Sequence, residues 1–143
     1  MAKRAAKGSA EMEFSTKERY GVEDLRALVA FLRAPGGCSW DAAQTHQSIR
    51  RNLIEETYEV CDAIDQEDAP HLQEELGDLL FSVVNVARFL HVSAEQSLSE
   101  ACEKFIRRFQ KVEELANARG VDMQSAGIDA LDKLWEEAKK SQA

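Results

Sequence analysis

The chain has 143 residues, 44% hydrophobic and 31% charged, which suits one domain with its own core and falls short of two copies of a four-helix unit. Its net charge of −8 argues against a general nucleic-acid binder, which needs a basic face. Three cysteines without Cys-x-x-Cys spacing argue against a structural disulfide or zinc site, and there is neither an apolar run of membrane-spanning length nor a secretory leader, so a cytoplasmic protein without membrane attachment is expected.

Residues 1–20 are polar, mixed in charge and without periodicity, and read as a flexible N-terminal arm before a domain spanning 21–143. A first helix is predicted over Val22–Arg33, stopped by Pro35-Gly36-Gly37. A loop carrying Trp40 follows, and Thr45 caps a long helix to about Asp65. Gln66-Glu67-Asp68-Ala69-Pro70 is the turn into a helix over about His71–Leu90, with Pro70 suited to a first helical turn. From Leu79 to Leu90 that helix is apolar on nearly all sides, which predicts burial. Ser93 and Ser97 each head a capping-box pattern, so a fourth long helix starts there and Gly120 stops it. A last helix covers about Ile128–Lys140. No alternating pattern or hairpin turn signals a strand. The expected fold is all-α, an antiparallel bundle of about four to five helices.

Between Glu55 and Asp78 lie ten carboxylates and no Lys or Arg. Glu55, Glu56 and Glu59 are three and four apart and share a helix face, as do Glu75 and Asp78 on the next helix. Glu59 lies nine residues before Asp68 and Asp78 ten after it, so each is about 14 Å from the bend at ~1.5 Å per residue, and an antiparallel pair brings them level. A solvated acidic face explains the first helix alone, because Leu53, Ile54, Tyr58, Cys61 and Ile64 occupy a different arc from its acids, with Cys61 a small core residue. The second helix points elsewhere. Its polar residues Asp78, Ser82 and Asn85 form one line on a predicted buried helix, and a buried carboxylate must be paired or metal-bound. Hard oxygen ligands select Mg²⁺, with Mn²⁺ as a substitute. A di-iron carboxylate bundle would need Glu-x-x-His motifs, and His46, His71 and His91 all lack a Glu three residues before them. Asp68-x-x-His71 has the spacing but falls in the turn, so the histidines read as surface or helix-end residues.

Leu25–Leu90 resembles the MazG family of nucleoside triphosphate pyrophosphohydrolases, within the all-α NTP pyrophosphatase superfamily. The family pattern Glu-Glu-x-x-Glu followed by Glu-x-x-Asp matches Glu55, Glu56, Glu59, Glu75 and Asp78. Gly37 to His46 is similar to the family's Cys-Pro-Trp-Asp-x-x-Gln-Thr-His signature, with Ser39 in place of Pro. Lys104 to Phe109 and Leu134 to Lys139 also have counterparts, so the likeness extends over about 22–140; Cys102 stands where many relatives carry Asn.

The resemblance implies attack of an activated water at the α-phosphate of an NTP or dNTP, giving the nucleoside monophosphate and pyrophosphate; carboxylate spacing alone does not select α over γ. Glu55, Glu56, Glu59, Glu75 and Asp78 are the expected ligands of Mg²⁺, and Glu56, with Glu55 beside it, is the candidate to orient the water or take its proton. Lys104, Arg107, Arg108 and Lys111 form a basic stripe that reads either as helical ion-pair partners of Glu100 and Glu103, at ~0.2–0.5 kcal/mol each, or as a phosphate clamp. By resemblance, Lys104, Arg108, Trp135 and Lys139 contact the nucleotide. Trp40 and Asn85 are further candidates, and core packing is the alternative for both tryptophans. Two helices do not close a bundle, so a homodimer, or a dimer of dimers, is expected to complete it. Two other readings stay open: a relative with a narrow substrate (a dUTP or dCTP pyrophosphatase, or a phosphoribosyl-ATP pyrophosphohydrolase), and a helical regulatory protein without turnover.

Overall fold

A computed structural model describes residues 16–142; most of the expected N-terminal arm, residues 1–15, lies outside the described residues. The chain divides at Val92–Ser93 into two compact units, and all regular structure among the described residues is helical. The first unit holds α1 (Val22–Arg33), α2 (Ser39–Ala42), α3 (His46–Asp65) and α4 (Ala69–Phe89); the second holds α5 (Ala94–Ala118) and α6 (Ile128–Lys140). Among the described residues no single helix is long and apolar enough to cross a membrane.

Local chemistry sets the helix ends. Asp24 accepts the Gly21 N–H at 2.9 Å and pairs with Lys17, which fixes the start of α1 and the last residues of the expected arm. Ala34 is extended at ψ 158°, as a residue before Pro35 prefers, and closes α1. The chain then folds back so tightly that Cys38 N–H reaches the Leu32 carbonyl at 2.8 Å. A Cβ at Gly37 would stand 2.4 Å from that same oxygen, so only glycine fits there. The expected Trp40 loop contains a single helical turn, α2, too short to leave a periodic signal.

Thr45 caps α3 by accepting from Ser48 N–H at 3.2 Å, and Asp68 caps α4 by accepting from His71 N–H at 3.2 Å, with Pro70 in the first turn. The turn between them is as short as expected. His46, at the start of α3, meets the Phe89 ring edge-on at 5.0 Å, at the end of α4, so the two helices run antiparallel along their length. α1 lies on α4, where Arg88 donates to the Ala30 carbonyl at 3.3 Å.

Two burial expectations change. On α3 the buried residues are Ile49, Val60 and Ala63, so the seam against its neighbours follows steps of four and three through 49, 53, 56, 60 and 63. Glu56 therefore sits on the packed stripe, whereas Ile54, Tyr58, Cys61 and Ile64, assigned above to an apolar arc, are exposed; Cys61 is not a core residue. On α4 only Glu75 and Val84 are fully buried, and Leu76, Leu80 and Val83 are 45–58% exposed. The expected all-round burial fails because the first unit supplies only α1 and α3 as cover.

In the second unit Ser93, not Ser97, caps α5 by accepting from Gln96 N–H at 3.2 Å. Gly120 at φ 64° ends it, letting Val121 N–H return to the Ala116 carbonyl at 2.9 Å in a Schellman turn. Val112, Ala116, Leu134 and Ala138 form the core between α5 and α6, with Leu115, Val121, Met123, Leu131 and Trp135 packed around them.

Candidate metal centre

Three of the five predicted metal ligands converge. Carboxylate oxygens of Glu56, Glu75 and Asp78 lie within 4.8 Å of one another, one residue from the α3 seam and two from α4. Helical spacing puts Glu75 and Asp78 on one face, and the antiparallel pairing brings Glu56 opposite them. Glu55 and Glu59 lie outside this triad and are exposed, yet both act electrostatically on Glu56.

The three carboxylates differ in environment. Glu56 Oε2 is shut off from solvent and has no hydrogen-bond partner. Burial pushes the Glu56 carboxyl above the usual carboxylate range, and the negative charges of Glu59, Asp78, Glu75 and Glu55 push it the same way. Glu75 is 9% exposed and its Oε1 meets His71 Nε2 at 2.9 Å. Asp78 opens to solvent. Among the described residues none of the five acids pairs with a Lys or Arg.

That arrangement fits a hard cation. A buried oxygen without a donor, facing two further carboxylates, is destabilised as it stands and is relieved by positive charge. Oxygens around Mg²⁺ at about 2.1 Å span at most about 4.2 Å, so the triad has only to tighten by a fraction of an ångström. Ser82 and Asn85 continue the Asp78 line along α4, both half-buried, with Asn85 about 10 Å further along at ~1.5 Å per residue.

His71 went unrecognised in the sequence. It falls in the expected turn, and a Glu-x-x-His metal motif places the acid before the histidine. The relevant spacing runs the other way, His71 to Glu75, one helical turn apart.

The predicted nucleotide-contacting residues other than Trp40 and Asn85 belong to the second unit. Among the described residues Lys104 is exposed and in no ion pair; Arg108 is half-buried, and its Nε is shielded without a partner there. The surface-pairing alternative is therefore not realised for these two: Glu103 instead approaches Arg107 at 3.9 Å, and Glu100 accepts from Gln96 at 2.8 Å. Trp135 packs on the α5–α6 core with its ring 5.5 Å from Phe105, so the core reading holds for it at least in part. Lys139 pairs with Glu136 at 3.1 Å. Trp40 on α2 is 66% exposed and is no core anchor of its unit.

Residues 44–113 match the model of the MazG nucleotide pyrophosphohydrolase domain. The chain is 42% identical over 93 residues to the nucleoside triphosphate pyrophosphohydrolase/pyrophosphatase MazG of Thermotoga maritima, covering 65% of this chain and 35% of that protein. It is 34% identical over 123 residues to a nucleoside triphosphate pyrophosphohydrolase of Mycobacterium tuberculosis, covering 83% of this chain and again 35% of the relative. The chain thus spans about a third of the length of these curated relatives. Its fold is similar to that of a MazG-related protein from Thermotoga maritima in a crystal structure, with a TM-score of 0.57 and 24% identity over 82% of this chain and 98% of the other.

Proposed function

Because this chain belongs to the MazG family, we propose that it hydrolyses nucleoside triphosphates to the monophosphate and pyrophosphate with the help of a divalent metal. The observation that carries this reading is the α3–α4 triad, with three carboxylates gathered around a buried, donorless oxygen of Glu56. Structural acids are held by donors or cations, and Glu56 has neither.

In this reading Glu75 and Asp78 from α4 and Glu55, Glu56 and Glu59 from α3 supply the oxygens for Mg²⁺ or Mn²⁺. When bound, the ion would offset the charge of the triphosphate and acidify a water. Glu56, whose Oε2 is buried without a donor beside the other carboxylates, orients the attacking water or takes its proton. Water adds at the α-phosphorus, the bond to the bridging oxygen breaks, and pyrophosphate leaves with that oxygen. Lys104 and Arg108, cations without a carboxylate partner among the described residues, neutralise phosphate oxygens, while Trp40, Asn85, Trp135 and Lys139 are the other proposed nucleotide contacts.

We infer further that the chain works as a homodimer or dimer of dimers, because Leu76, Leu80 and Val83 leave an apolar face of α4 uncovered within its unit. Three free cysteines agree with a reducing cytoplasm. The experiment that tests the function is pyrophosphate release from all canonical NTPs and dNTPs, with and without Mg²⁺. Metal-dependent release from at least one of them is expected, and no release from any would refute it.

A further inference from the structure

We propose that His71 is a positioning residue of the metal centre, holding Glu75 in the orientation that lets it bind a divalent cation. The proposal rests on the metal-dependent reading above and extends it to a residue outside the carboxylate set.

Glu75 is the most buried of the five acids, and His71 is its one side-chain partner among the described residues. The contact is built from the backbone up. Asp68 caps α4 by accepting the His71 N–H at 3.2 Å, which fixes the first turn. Four residues on, the helix brings Glu75 beneath the imidazole, and Nε2 meets Oε1 at 2.9 Å. The His71 side chain is 38% exposed, so it stands outside the fully buried core.

The kind of donor matters. A Lys or Arg at this position would cancel the charge of Glu75 and compete with a metal. An imidazole N–H engages one oxygen of a carboxylate without having to neutralise it, leaving lone pairs and charge for a cation. It also removes rotational freedom from a ligand that would otherwise lose it on metal binding. Donors behind ligating carboxylates typically contribute 10–100-fold to metal affinity or activity.

The test compares the full chain with His71→Ala, which deletes the donor, and His71→Gln, whose terminal amide offers an N–H at a similar reach. Both substitutes are good helix formers at a half-exposed position, and melting of the metal-free proteins checks that the fold is kept. Mn²⁺ alone is titrated and the free ion counted by electron paramagnetic resonance. The expected result is a Kd raised about tenfold in His71→Ala and restored to within about twofold in His71→Gln, the size of effect that donors behind metal ligands show. At saturating metal the alanine variant should recover most of its pyrophosphate release, because it is metal binding that suffers. An unchanged Kd in His71→Ala, or a glutamine variant as weak as the alanine one, would overturn the role while leaving the metal site standing. If the unsubstituted chain binds no Mn²⁺, the metal-dependent reading falls and this proposal with it.

Discussion

The two units use the same residue type to opposite ends. In the second unit three acids on α5 and α6 are closely matched with bases: Glu137 accepts from Arg119 at 2.7 Å, Glu136 from Lys139 at 3.1 Å and Glu114 from Lys111 at 3.0 Å. The Arg119 guanidinium beside Glu137 holds its carboxyl below the usual range. In the first unit the acids at the α3–α4 seam pair with no Lys or Arg among the described residues, and Glu56 is displaced the other way. Paired surface acids add at most about 1 kcal/mol each to a fold and ask nothing of the solution. Unpaired acids on a packed seam work against the fold unless a cation offsets them, so the seam acids of the first unit carry the proposed metal binding, whereas the paired acids of the second serve local structure.

The sharpest way to break this contrast is to remove one charge from each side. Asp78→Asn or Glu59→Gln should lower metal-dependent turnover by orders of magnitude while the metal-free protein melts at the same temperature or higher. Mg²⁺ at about 100 times its Kd should stabilise the unsubstituted chain by about 2.7 kcal/mol, and the rise in Tm should vanish in Asp78→Asn. Glu137→Gln should do the reverse, with turnover unchanged and Tm slightly lowered. Turnover in Asp78→Asn equal to that of the unsubstituted chain would remove that residue from the proposed centre.

A smaller effect is expected at Arg108, the one cation of the basic stripe whose Nε is shielded and unpartnered. Arg108→Ala should reduce kcat/KM roughly 10–100-fold, the loss of one to two charge-assisted hydrogen bonds, with Mn²⁺ affinity intact. The loss should be equal for purine and pyrimidine substrates, since phosphate contacts carry no base information. A base-dependent loss would show that α5 reads the nucleobase instead.

What could be read from the residues follows from how local each signal is. Thr45, Pro70, Ser93 and Gly120 each act within one helical turn, so the bounds of α3 to α5 were legible to within about two residues, while the Asp68 cap that starts α4 was not. The meeting of acids from α3 and α4 was legible too, from spacing within a helix and distance from a tight turn, but it is Glu56 and not Glu59 that joins Glu75 and Asp78. The seat of Glu56 was not: Ile54, Tyr58 and Ile64 form a persuasive apolar arc, and only the packing partner decides which stripe faces inward. For the same reason the hydropathy of α4 promised a burial that one unit does not supply. His71 was not legible because a Glu-x-x-His motif puts the acid three residues before the histidine, whereas Glu75 follows His71 by four.

The last and smallest effect lies in the pH dependence of the metal-free fold, where the two units should part by sign. Glu56 has a folded-state pKa above its ordinary value of 4.5, so its protonated form favours the native state. That stabilisation is complete below 4.5 and is lost as pH rises through the folded value, which means the chain gains stability on mild acidification from neutral toward 4.5. Glu137 has a folded-state pKa below 4.5, so its contribution is present above 4.5 and is lost as pH falls further. The two windows lie on opposite sides of one pH. Subtracting the Tm profile of Glu56→Gln from that of the unsubstituted chain should give a difference that climbs from neutral down to about 4.5 and then levels. The same subtraction with Glu137→Gln should be flat above 4.5 and fall below it. Saturating Mg²⁺ should reverse the first difference at neutral pH, because the cation favours the charged form of Glu56, and leave the second unchanged. A Glu56 difference that falls on acidification without metal would mean the carboxylate already has a partner, and the contrast between the two units would be lost.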